Sequence, residues 1–107
     1  MTDKITLFTP YFKASSPERQ AELDYCLQKN LACQHIDEII LLVDDNHVPS
    51  IESSRLKIIH VDYRPTYKMW IEFSKQHAKN RISILANTDI YFDSSITEVL
   101  QLFSEPF

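Results

Sequence analysis

The stretch from Ile84 to Asp93, ILANTDIYFD, holds the residues whose types and spacing point most directly to chemistry. An apolar run breaks off at Asn87-Thr88-Asp89, so a carboxamide and a carboxylate stand one residue apart at the expected end of a strand. A second carboxylate, Asp93, follows four residues later. Oxygen groups placed this way can shape a turn or cap a helix. They can also share a hard divalent cation with substrate phosphates. Three other strand ends are legible as polar clusters: Thr9-Pro10-Tyr11, Asp44-Asp45-Asn46 and Asp62-Tyr63-Arg64. Three of the four ends are acidic. Like charges gathered on one edge destabilise one another unless a cation or a basic group offsets them. That is a physical reason to expect a cation and a diphosphate at this edge. For Asp44, Asp45 and Asp62 taken singly, turn-making is the plainer role.

The elements that must position these groups alternate in type. KITLF reads as a first strand ending at Thr9-Pro10, since proline cannot donate to a ladder. Ser16 before Pro17 fits an N-cap followed by the first helical position, while Ser15 with Glu18 offers a capping box one residue earlier. The helix so begun is expected to run to about Gln34, burying Leu23, Leu27, Leu31 and Ala32. IDEIILLVDD is a second strand, apolar at every position from Ile39 to Val43, as a strand covered on both faces requires. RLKIIHVDY is a third strand with less regular alternation. Pro65 and Thr66 open a second helix on which Trp70, Phe73 and His77 share a face, closed by Asn80. RISILAN is a fourth strand. A last helix is expected from Ser95, with Glu98 completing a capping box and Ile96, Val99, Leu100 and Phe103 forming its apolar stripe.

Strand, helix, strand, strand, helix, strand, helix predicts a Rossmann-like, three-layer α/β/α domain with a mainly parallel four-stranded sheet. In such sheets ligands gather at the carboxyl ends of the strands, near the point where strand order reverses. All 107 residues are expected to form a single domain. A chain that stops just after its last helix reads like the front half of a longer fold.

Composition narrows the function classes. A net charge of −4 without a Lys/Arg stripe gives no reason to expect nucleic acid. No apolar run approaches the ~20 residues that span a bilayer, and the N-terminus lacks the pattern of a signal peptide, so a cytoplasmic location is expected. The absence of any glycine excludes phosphate-binding loops built on glycine and leaves turns to Asn, Asp, Ser and Pro. Cys26 and Cys33, seven residues apart in one expected helix, are separated by roughly 10 Å along its axis and read as free thiols. His35, His47, His60 and His77 fall on different elements with no metal-ligand spacing. Met69, Trp70 and Phe73 read as core.

ILANTDIYFD after this βαβ-type pattern resembles the metal-binding segment of GT-A fold glycosyltransferases, enzymes that use nucleotide-diphosphate sugars as donors. The family's Asp-x-Asp motif corresponds here to Asn87-Thr88-Asp89, with an amide in place of the first acid. The resemblance implies that Asp89 contacts a divalent cation, Mn²⁺ or Mg²⁺, and that Asn87 coordinates it through its carbonyl oxygen or hydrogen-bonds the ribose. The TP-ended first strand resembles the family's opening strand, which places Thr9, Pro10 and Tyr11 against the nucleotide base. LLVDD resembles the second strand, whose terminal acids face base or ribose; Asp45 is the first candidate and Asp44 the second. YRPTYKMW lies where the family lines the nucleotide pocket, so Arg64 and Lys68 would offset diphosphate charge and Tyr67 would pack on base or ribose.

The implied partners are a UDP- or GDP-linked sugar and an acceptor glycan or other hydroxyl, with an oligomer or partner chain as one way to complete the fold. In the family the catalytic base generally comes from chain after the metal motif, and only about eighteen residues follow Asp89 here. The alternative is a non-catalytic Rossmann-like interaction or regulatory domain whose acidic edge is simply solvated, or an inactive glycosyltransferase fragment. A phosphotransferase or phosphatase using Asp89 as nucleophile would need an acid at Ile90 or Tyr91, and both are apolar.

Overall fold

The computed structural model describes residues 4–77, 82–93 and 96. Six elements follow one another: β1 (Ile5–Pro10), α1 (Pro17–Ala32), β2 (Ile36–Val43), β3 (Leu56–His60), α2 (Tyr67–His77) and β4 (Ile82–Leu85). The strands form an α/β fold with one parallel sheet of order β3-β2-β1-β4. The chain therefore builds outward from β1 to β3, then returns across the sheet to place β4 on the other side of β1. Strand order reverses between β1 and β4, and that is where a crevice opens in folds of this kind.

Alternation along the strands sorts the core into two layers. Ile5 and Leu7 of β1, Ile39, Leu41 and Val43 of β2 and Ile82 of β4 share one apolar cluster with Leu27 and Leu31 of α1. Phe8, Ile40 and Leu42 face the opposite way and meet Met69 of α2, with Ile59, Trp70, Phe73 and Leu85 packed around them. β2 is buried at seven of its eight positions, because it has neighbours on both edges and cover on both faces. β3 is half exposed along its length, as an outer strand should be, which explains its less regular alternation. Its connection from β2 contains no helix, yet Ile51 within it packs into the α1 layer and covers that face of the sheet.

Local chemistry sets the ends of the helices. Ser16 caps α1, its hydroxyl accepting the Arg19 N–H at 3.1 Å, and Pro17 follows at the first helical position. The helix ends at Ala32, two residues short of the expected Gln34, because Cys33 turns extended while its N–H still bonds the Asn30 carbonyl at 3.2 Å. Ala32 is exposed, a correction to the expected stripe; Cys26 and Asn30 occupy the buried face with the three leucines. Arg55 fastens this end, donating to the carbonyls of Ile36 and Leu31, where a cation also favours the helix dipole. In α2 the Thr66 hydroxyl accepts the Met69 N–H at 3.2 Å, and Trp70 Nε1 donates to Ser83 Oγ of β4 at 3.0 Å. The left-handed turn a glycine would ordinarily make falls to Asn46, with φ of 64°.

The expected Asn80 helix end and the final helix from Ser95, apart from buried Ile96, lie outside the described residues. Both cysteines are free and buried. Among the described residues no helix is long and apolar enough to cross a membrane.

Candidate functional site

The carboxyl edge of the sheet is held by hydrogen bonds between segments distant in sequence. The Ala86 N–H donates to the Phe8 carbonyl at 3.0 Å, and the Thr88 hydroxyl donates to the Pro10 carbonyl at 2.5 Å. The Ile90 N–H returns to the Asn87 carbonyl at 3.2 Å, closing a turn over the Asn87-Thr88-Asp89 triplet. Beyond that turn Asn30 of α1 acts as a clamp: its Nδ2 donates to the Ile90 carbonyl at 3.0 Å and its Oδ1 accepts the Phe92 N–H at 2.8 Å. A buried carboxamide thus supplies the donor and acceptor that a neighbouring strand would have offered. The triplet is tied to β1 on one side and to α1 on the other.

Two adjoining cavities open here. The first, of about 530 Å³, is lined by Pro10, Tyr11, Asp44, Arg64, Asn87 and Asp89 together with Arg19 of α1. The second, of about 510 Å³, is lined by Tyr67, Leu85, Ile90 and Phe92, and shares Pro10, Pro65 and Asn87 with the first. Both fall within the range of small-molecule sites. Six of the ten residues singled out from the sequence thus meet on the first cavity, and Tyr67 stands on the second.

Thr9, Asp45 and Lys68 line neither cavity. Thr9 is buried beneath the edge, and Lys68 is exposed on α2. Asp45 serves its own loop: Oδ2 accepts the Lys13 N–H at 2.8 Å and Oδ1 the His47 N–H at 3.0 Å. Those amides, Lys13 first, hold its carboxyl below the ordinary range. Asp44 is the member of the pair that reaches the cavity.

Tyr11 is a wall rather than a free stacking face. It is 2% exposed, and the His47 ring lies parallel to it with centroids 5.7 Å apart. Its hydroxyl donates to Asp24 Oδ1 at 2.6 Å and accepts from Gln20 Nε2 at 3.1 Å. Burial, and then the bond to the Asp24 carboxylate, push the phenol upward.

Arg19 on the first cavity and Asn30, which supports the segment beside it, were not singled out from the sequence. Arg19 Nη2 meets Asp89 Oδ2 at 3.1 Å across 70 positions of sequence, while its Nη1 holds Glu22 Oε2 at 2.8 Å. The available signal was its place in the first turn of the helix after β1, which in a βαβ unit begins at the carboxyl edge. Asn30 was visible as a carboxamide three residues after Leu27, on the buried stripe of α1. A polar group there must find partners.

Among the described residues no three His, Cys, Asp or Glu side chains converge, so an all-protein cage does not fit. Asp89 and Asn87 line the same cavity, and an ion of the magnesium type takes only one or two carboxylates, completing its shell from water and phosphate. No protein-family model matches the chain, and no curated protein matches it.

Proposed function

We propose that this chain is a GT-A-like glycosyltransferase domain whose carboxyl-edge cleft binds a UDP- or GDP-linked sugar together with Mn²⁺ or Mg²⁺. One observation carries the reading. Asn87, Asp89, Asp44, Arg64 and Arg19 gather on a single cavity beside the reversal of strand order. Guanidinium groups recognise phosphate through paired, charge-assisted hydrogen bonds, so Arg19 and Arg64 supply the cationic side of a diphosphate site. Asp89 and Asn87 would hold the cation, which supplies Lewis-acid stabilisation to a departing diphosphate. Asp44, just after β2 on the same cavity, would accept from sugar or ribose hydroxyls. Glycosyl transfer to an acceptor hydroxyl also calls for a general base when the configuration inverts, and no described residue is assigned that role.

Calorimetric titration of UDP, GDP and their sugar conjugates, with and without Mn²⁺, tests this reading. Manganese-dependent binding that disappears in Asp89→Ala is the expected result; no binding to any of these nucleotides under either condition would sink it. A second reading, a non-catalytic interaction domain, draws on the Arg19–Asp89 pair, which already neutralises part of the acidic edge. That reading expects the same titrations to be silent.

A further inference from the structure

Four charged side chains line the first cavity, two guanidiniums and two carboxylates. Arg64 makes no ion pair among the described residues, whereas Arg19 is spent on Asp89. The cleft as it stands is therefore balanced, and its carboxylate best suited to a cation is already in contact with a positive charge. This arrangement sets a conflict for each ligand alone. A bare cation at Asp89 must displace or tolerate Arg19. A bare diphosphate that draws Arg19 away leaves Asp89 uncompensated beside its own negative charge.

Both conflicts disappear when the two ligands arrive together. Resting on the donor-site reading above, we infer that Arg19 is a shared arm of the cleft: it covers Asp89 when the cleft is empty and moves to the diphosphate when Asp89 engages the cation. The geometry allows the exchange without rebuilding the fold. Arg19 and Asp89 side chains are 42% and 45% exposed, and among the described residues only one oxygen of Asp89 is engaged. Glu22 Oε2 engages the other terminal nitrogen of the guanidinium at 2.8 Å, a contact that does not depend on Asp89. Arg19 is thereby a positioning and specificity residue that couples cation and diphosphate binding. By linkage the coupling is reciprocal, each ligand raising affinity for the other by the same factor.

Arg19→Gln gives opposite changes for the two ligands, which a merely structural role would not. Mn²⁺ alone, followed by the electron paramagnetic resonance signal of the free ion, is expected to bind about threefold more tightly, the effect of removing a solvent-exposed ion pair. UDP or GDP in the presence of Mn²⁺, measured by calorimetry, is expected to bind about tenfold more weakly, the loss of one charge-assisted contact. Asp89→Asn provides the converse: with Arg19 released, metal-free UDP or GDP binds about threefold more tightly and manganese no longer helps. Wild-type protein that binds both ligands while Arg19→Gln changes neither, or weakens both alike, overturns the inference and leaves the donor site standing. Wild-type protein that binds neither ligand overturns both.

Discussion

The two faces of the sheet reach the same carboxyl edge with different means. On the α1 face the helix buries Leu23, Cys26, Leu27, Asn30 and Leu31, and its polar side chains Arg19, Gln20, Asp24 and Asn30 each bond to another segment or to one another near the cleft. On the α2 face only Met69 of the helix is buried, while Tyr67 and Ile71 are exposed. The cavity on the first side is charged; the one on the second is bounded by Tyr67, Leu85, Ile90 and Phe92. The labour is divided: α1 ties down the segment after β4 and gives the first cavity one of its four charges, whereas α2 covers the sheet and offers apolar surface beside it.

Core truncations test that contrast most strongly. Leu27→Ala, in the α1 layer, is expected to cost about 3 kcal/mol in urea unfolding, and Met69→Ala about 2 kcal/mol, because methionine is adaptable and its neighbours are only partly buried. A larger loss at Met69 would reverse the comparison.

Next comes the clamp. Asn30→Leu keeps the volume but strips partners from the Ile90 carbonyl and the Phe92 N–H, and should cost about 2 kcal/mol. Accelerated amide exchange confined to the segment after the triplet is the accompanying sign. Unchanged exchange there would show that the segment is held by something else.

Tyr11→Phe is smaller, about 1 kcal/mol near neutral pH. It carries a pH signature whose sign is fixed. The folded phenol sits above its ordinary value of 10.0, so the folded state holds this proton more tightly than the unfolded one. The contribution is complete below pH 10 and is lost as pH rises above it. Wild-type stability should therefore fall more steeply than the variant's in that alkaline window.

Asp45 runs the other way. Its carboxyl is depressed below its ordinary 3.8 by the Lys13 and His47 amides, so its contribution is present above that value and lost as pH falls through the lower folded value. Asp45→Asn should flatten the acid limb of the stability profile slightly, the smallest of these effects because the group is exposed.

Much of the frame could be read one element at a time. Ser16-Pro17 announced the start of α1, the unbroken apolar run from Ile39 to Val43 announced a strand covered on both faces, and Thr66 preceded α2. Each signal lies within a few residues, because caps and hydrophobic periodicity act through neighbouring backbone groups. The same locality explains the misplaced details. Whether α1 stopped at Ala32 or Gln34 depended on Arg55 and on the turn into β2. Whether Asp44 or Asp45 reached the cavity depended on which amides of a distant loop were waiting, and the Lys13 N–H took Asp45.

By itself, then, the sequence determined the order of the six described elements, the α/β class and the polar strand ends, since all of these follow from short-range pattern and from the tendency of alternating strands and helices to form parallel sheets. Only the tertiary structure decided that β4 lies beside β1, that Arg19 meets Asp89 across 70 positions, and that Asn30 fastens the segment beyond the triplet. Those contacts join groups that no local rule relates. The crossovers bring the start of α1 and the end of β4 to one edge, where charge must be balanced, while Asn30, near the other end of the helix, is buried and must find partners in the segment that passes it.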